Sequence, residues 1–195
     1  DIFHGLASFN SSNELNINED GKEMNITCDK IIISTGSKPF FPKDLKPNGK
    51  RIIDSDFVLN SKSLPESICI IGGGYIGIEF AYLYSSFGVE VTIVESSESI
   101  LGFVDKEIVD ELRKNFTKRG ITIYESTKVE IIKETSREIT VSLLNSDNQL
   151  EIDFDLVLIS TGRMPNTENL SLENSGVKID NFGFIKVNKS FKTHV

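Results

Sequence analysis

The chain has 195 residues, 38% of them hydrophobic and 26% charged, with a formal net charge of −8. That length holds one core, or one domain with parts of another, and the mixture is that of an ordinary globular chain. The acidic balance leaves no basic face for nucleic acid or an anionic membrane, so neither is expected as a partner. No apolar run approaches the ~20 residues that a membrane span requires, and no signal-peptide pattern is present. Cys28 and Cys69 are too far apart to read as a redox pair or metal pattern. His4 and His194 sit at opposite ends with no partner histidine or cysteine nearby, so no metal site is expected. Without a disulfide framework, a reducing cytoplasmic location is the default. The chain opens on Asp1 and closes in "FKTHV", which reads as a segment of something longer.

Residues 1–35 read as a β-meander, "IFHGLASF", "ELNIN" and "EMNIT", with "NEDGK" as a turn. "KIIIST" (30–35) is a β-branched run and predicts a buried strand closed by Gly36. From "KPFFPKDLKPNGK" to "SLPES" the chain carries four of its five prolines, the composition of an extended linker.

After Ser67 strands alternate with helices. "ICII" predicts a short buried strand. "YIGIEFAYLYSSFG" predicts a helix, apolar on several faces and therefore deeply packed. "EVTIVE" is the next strand. "DKEIVDELRKNFTKRG" predicts an amphipathic helix through Ile108, Val109, Leu112 and Phe116, with Gly120 as its stop. "ITIYE" follows as a third strand. "KVEIIKE", "EITVSLL" and "QLEIDF" predict an antiparallel meander with "NSDN" as a hairpin turn, and "LVLIST" (156–161) a buried strand closed by Gly162. The expected fold is thus α/β: a Rossmann-like parallel sheet with an antiparallel meander. One short repeat runs through it, "IIISTGSKP" (31–39) and "VLISTGRMP" (157–165), as if two strands each delivered the same tight turn.

The stretch "SICIIGGGYIGIEFA" (67–81) places Gly72, Gly74 and Gly77 in a G-x-G-x-x-G pattern directly after a strand and at a helix start. In a dinucleotide fold the first glycine permits the turn, the second admits a pyrophosphate to the backbone, and the third lets helix and strand pack closely. The free amides and positive dipole at the helix start hold the phosphates. Glu95, 23 residues after Gly72, ends the next strand, where a carboxylate can accept the hydroxyls of an adenosine ribose. A 2′-phosphate there would be repelled, and Ser96, Ser97, Glu98 and Ser99 supply no cation. The dinucleotide expected is therefore NAD. A tight turn without ligand and a solvated acid are the plainer alternatives.

"GGGYIGIE", with "STGSKP" before it and "STGRMPN" after it, resembles the pyridine nucleotide–disulfide oxidoreductases, dihydrolipoamide dehydrogenase and glutathione reductase among them. The resemblance implies an FAD-binding domain interrupted by an NAD-binding one. Residues 1–63 would be the end of the first FAD segment with a linker, 64–180 the NAD-binding domain, and 181–195 the return. It implies that Gly72, Gly73, Gly74, Tyr75, Ile76, Gly77 and Glu79 line the NAD pyrophosphate and the nicotinamide approach, and that Glu95 holds the ribose. The Val129 backbone would touch the adenine, and Gly162 would lie at the nicotinamide end. Ala7, Thr35 and Gly36 would contact FAD, which is expected only in the intact protein. Tyr75 stands where glutathione-reductase-like members place a ring over the flavin. Glu79 would pair with a lysine that lies outside this sequence, or else merely offset the helix dipole. The redox cysteine pair and the histidine base of the family are not among these residues, so no catalytic residue is assigned. The intact protein would be a homodimer acting on a small dithiol or disulfide such as a lipoyl group. NADH oxidases, coenzyme A disulfide reductases, glutathione and mercuric reductases share the pattern. A non-catalytic nucleotide-binding module is the reading from a different class.

Overall fold

The structure, a computed structural model, describes residues 1–135, 137–146 and 148–195, with only the backbone of 131 and 132. Its contacts divide the chain into two units, residues 1–38 with 163–195, and residues 39–162.

The first unit opens with β1 (Leu6–Phe9), β2 (Glu14–Glu19) and β3 (Lys22–Thr27) in an antiparallel sheet. The hairpin between β2 and β3 turns through Asp20 and Gly21 at φ 50° and 84°, the positive pair that matches strand twist in a tight turn. The expected strand over 30–35 is absent. No strand among the described residues pairs with it, and Ile32 is 91% exposed. An apolar β-branched run forms a strand only where a ladder receives its amides and carbonyls. β4 (Ser37–Pro39) then leads out of the unit.

In the second unit the proline-rich segment is more than a linker. β5 (Ile52–Ile53) forms within it and is buried, and the four-residue helix α1 (Ser55–Val58) follows, capped by the Asp54 carboxylate. β6 (Ser67–Ile71), α2 (Tyr75–Ser86), β7 (Glu90–Val94), α3 (Lys106–Lys118) and β8 (Thr122–Tyr124) continue the expected alternation. The antiparallel β9 (Lys128–Glu134), β10 (Ile139–Leu144) and β11 (Gln149–Phe154) come next, then β12 (Leu156–Ile159). Asp147 of the expected "NSDN" turn lies outside the described residues; Asn145 and Asn148 bond each other across it at 3.1 Å. The parallel sheet has the order β5-β12-β6-β7-β8.

Both faces of this sheet are covered, which is why its strands are continuous apolar runs rather than alternating ones. Ile68, Ile70, Val91, Ile93 and Leu158 face a core shared with Ala81 and Tyr84 of α2 and Val109 and Phe116 of α3. Cys69, Ile71, Val94, Val157 and Ile159 face a second core with Ile139, Val141, Leu143 and Phe154 of the meander. Each buried Ile, Val or Leu contributes about 1.5–3 kcal/mol of transfer free energy. Two expectations about the helices change here. α2 buries one face only, leaving Tyr82, Leu83 and the following Phe87 exposed, and Ile108 of α3 is likewise outside its buried stripe. A helix laid on a sheet covers it with one side, and apolar composition alone does not supply a second layer.

The chain re-enters the first unit through β13 (Arg163–Pro165), which pairs with β4, and the Arg163 guanidinium reaches Ser37 Oγ (2.7 Å) and Ser37 O (2.6 Å). α4 (Leu172–Ser175) follows, and Asn174 caps the Phe9 carbonyl at 2.8 Å.

Candidate dinucleotide site

The glycines of 72–77 lie at the carboxyl end of β6, between β12 on one side and β7 on the other. Chain order reverses there: β6 leads through α2 to β7, whereas β12 arrives after the meander. Open α/β sheets leave a crevice for ligands at such a switch point.

Close packing accounts for two of the glycines. Gly72 has φ +107°, and a Cβ on it would lie 2.5 Å from the Ser160 carbonyl oxygen. A Cβ on Gly77 would lie 2.0 Å from the Gly72 carbonyl oxygen and 2.8 Å from Ser160 Oγ. Helix, turn and strand end therefore meet backbone to backbone, and Ser160 is the residue beneath them. Its hydroxyl lies within hydrogen-bond reach of the carbonyls of Ile71 (3.0 Å) and Gly72 (3.1 Å). The sequence reading overlooked Ser160, although the Ser-Thr-Gly repeat contains it. Gly74 is the contrasting case: nothing lies within 4 Å of its missing Cβ. It is the N-cap of α2 in extended conformation, and the first helical bond is from the Ile78 amide to its carbonyl, 3.0 Å. The amides from Gly74 to Gly77 are therefore the orphan donors of a helix start.

The two amides before them are used by the protein itself. Gly72 N–H donates to the Val94 carbonyl (2.8 Å), and Gly73 N–H to Glu95 Oε2 (2.7 Å). Glu95 Oε1 accepts from the Ser97 amide at 2.7 Å. Burial opposes ionisation of this carboxyl, but the amides of Ser97 and Gly73 outweigh it and hold it below the ordinary carboxylate value. Glu95 is thus a fixed anion tied to the glycine turn. Its own carbonyl accepts from the Thr127 amide (2.9 Å), and Ser126 N–H reaches Ser97 O (2.8 Å). The strand carrying Val129 starts beside Glu95 for that reason; Val129 itself is half-buried against the meander core.

The other expected positions divide between the units. Tyr75 is 56% exposed at the first turn of α2, Ile76 is half-buried, and Glu79 is exposed without an ion-pair partner among the described residues. Gly162 has φ +136° with open space around it, two residues from Ser160, and its carbonyl accepts from the Phe40 amide at 2.9 Å. Ala7, Thr35 and Gly36 belong to the first unit. There the carbonyls of Thr35 and Gly36 both accept from Asn166, each at 3.1 Å, and Ala7 is exposed.

Among the described residues no group of three or more His, Cys, Asp or Glu could hold a metal, and no helix is long and apolar enough to cross a membrane. Cys28 and Cys69 are both free thiols; Cys69 is fully buried in β6 and burial pushes its pKa up to about 12.

A parallel sheet with a glycine turn at its switch point and an acid just after the next strand makes an open α/β architecture with a crevice at the carboxyl ends of its strands. The family model described as pyridine nucleotide-disulphide oxidoreductase matches residues 3–195. The chain belongs to that family. It is 34% identical over 194 residues to a dihydrolipoyl dehydrogenase of Staphylococcus aureus, covering 100% of this chain and 41% of the relative. It is also 34% identical over 193 residues to a soluble pyridine nucleotide transhydrogenase of Yersinia pestis, covering 98% and 41%. The HOCl-induced flavoprotein disulfide reductase RclA from Escherichia coli superposes with a TM-score of 0.81 at 32% identity, over 100% of this chain and 43% of that one. LpdA from Mycobacterium tuberculosis shares the fold, with a TM-score of 0.83 at 22% identity over 96% and 41%. The chain thus spans about two fifths of the length of the relatives it matches.

Proposed function

We propose that residues 64–180 carry the NAD-binding domain of an FAD-dependent NAD–disulfide oxidoreductase of dihydrolipoamide dehydrogenase type. One observation carries the reading: the Gly73 amide and the Glu95 carboxylate are joined at 2.7 Å beside an open helix start at Gly74. The residues fit the nucleotide in a definite way. The amides from Gly74 onward, together with the positive end of the α2 dipole, bind the diphosphate. Glu95, ionised and held by two amides, accepts the ribose hydroxyls and repels a 2′-phosphate. The backbone near Val129 flanks the adenine, and Gly162 with Glu79 bounds the nicotinamide side. Ala7, Thr35 and Gly36 are the positions offered to FAD in the whole protein. When bound, the two cofactors supply hydride and electron transfer; these residues bind, orient and exclude water. The whole protein is then a homodimer acting on a small dithiol or disulfide, in a compartment where the two free thiols stay reduced.

The test is titration calorimetry with NADH and NADPH on the full-length protein and its Glu95→Ala variant. Loss of the ribose acceptor should weaken NADH about tenfold, the worth of one charged hydrogen bond. The preference over NADPH should shrink with it. Equal affinity for the two nucleotides in the unmutated protein would overturn the reading.

A further inference from the structure

A second set of charged residues stands behind the glycine turn. Arg113 of α3 donates through Nη2 to Glu125 Oε1 (2.8 Å) and through Nε to Glu125 Oε2 (3.2 Å), and also reaches Ser99 Oγ (2.8 Å) and Asp110. Glu125 Oε1 accepts in addition from the Ile100 amide at 2.6 Å, and Ser99 Oγ donates to the Ile100 carbonyl at 2.9 Å. The ion pair is partly sheltered, with side-chain exposures of 28% and 24%. Hydrogen bonding to Glu125 raises the Arg113 pKa above its ordinary value against the opposing effect of burial.

What the pair holds is the 99–101 segment, and that segment abuts the turn. Ile100 is fully buried, and a Cβ on Gly73 would lie 2.6 Å from Ile100 Cγ2 and 3.2 Å from Glu95 Cβ. The Leu101 amide donates to the Gly73 carbonyl at 2.8 Å while Leu101 sits at φ 47°. For a γ-branched residue that left-handed backbone is strained and persists only where its surroundings enforce it. Gly73 is thereby fixed from both ends, its carbonyl by Leu101 and its amide by Glu95. A continuous path runs from Arg113 and Glu125, through Ile100 and Leu101, to the carboxylate that faces the ribose.

Building on the NAD-binding reading, we propose that Arg113 and Glu125 are positioning residues for nucleotide specificity, setting the place of Glu95 through the 99–101 segment and Gly73. Neither touches the nucleotide. Their effect is on discrimination, because a displaced Glu95 loses both its grip on the ribose and its repulsion of a 2′-phosphate.

The experiment is calorimetric titration of NADH and NADPH into full-length Glu125→Gln, Arg113→Lys, Glu95→Ala and Glu125→Gln/Glu95→Ala proteins, beside the parent. Glu125→Gln should weaken NADH roughly fivefold while NADPH stays within about twofold, so that the preference shrinks. Arg113→Lys keeps the charge but loses the forked geometry, and should move the preference the same way by less. In the Glu95→Ala background, Glu125→Gln should change NADH affinity no further, since its path ends at the missing carboxylate. A merely structural role predicts the opposite pattern: both nucleotides weakened alike, or an undiminished loss in the Glu95→Ala background. Either result overturns the proposal. If Glu125→Gln fails to fold, the Arg113→Lys preference decides alone. A parent that binds neither nucleotide overturns the NAD reading itself, whereas a parent that binds NADH with variants of unchanged preference removes only this inference.

Discussion

Two segments of the molecule spell Ile-Ser-Thr-Gly, residues 33–36 and 159–162, each behind an apolar run and each followed within three residues by proline. Their folded states differ. The run before the second is a strand bonded on both edges, with Val157, Leu158 and Ile159 all at or below 1% exposure. The run before the first has no ladder among the described residues, and Ile32 is 91% exposed. The glycines match more closely: Gly36 and Gly162 both have positive φ with open space about the missing Cβ. The lesson is that a turn is a local property, set by a few dihedrals, while a strand is a property of its neighbours.

The sharpest way to break this comparison lies at the sites of closest approach. Gly77→Ala forces a Cβ against the Gly72 carbonyl at 2.0 Å and should cost about 3–5 kcal/mol or prevent folding. Gly36→Ala meets open space at φ +71° and should cost only about 1–2 kcal/mol, the left-handed penalty. Thermal unfolding of the two variants checks the order; equal losses would mean that the turn at 72–77 is not backbone-packed. Next in size, Ile159→Ala should lose about 2–5 kcal/mol as a buried truncation, and Ile32→Ala less than about 0.5 kcal/mol. Urea midpoints read both. A large loss at Ile32 would show that residues 30–35 are paired and covered in solution.

A last effect, modest and dependent on pH, concerns Glu95. Its folded pKa is depressed, so its stabilising contribution is complete above the ordinary carboxylate value of 4.5 and is lost as pH falls through the lower folded value. Glu95→Gln should therefore cost roughly 1 kcal/mol at neutral pH, the low end for charged hydrogen bonds because the group is partly wetted. The gap between variant and parent should close on acidification below pH 4.5. Stability curves from pH 7 down to pH 3 test the sign. A gap that widens in acid would deny that two amides hold the anion.

Much of the second unit was legible in the sequence because its signals are local and periodic: β-branched runs, the acid-to-base gradient of α3, and glycines at fixed offsets between a strand and a helix. Ile52–Ile53 was not legible, since two residues among prolines become a strand only when β12 offers its edge. The exposed faces of α2 were overestimated as core for a related reason: Tyr82, Leu83 and Phe87 are apolar, and their burial depends on a layer that composition does not specify. At the candidate site, Gly72, Gly77 and Glu95 could be picked out by spacing alone. Ser160 stood inside the Ser-Thr-Gly repeat, but nothing in its spacing placed it beneath the turn; Ile100 and the Arg113–Glu125 pair could not be picked out, because they come to the turn from 23 or more residues beyond it in the chain, with no motif to mark them.

The alternation in β6 reaches further than packing. Ile68 and Ile70 point to the helices while Cys69 and Ile71 point to the meander, so inserting or deleting a single residue between 67 and 71 would exchange the two layers' side chains. The chain therefore has no freedom to vary in length ahead of the glycines. Any lineage of this domain should keep the residue count of that strand fixed.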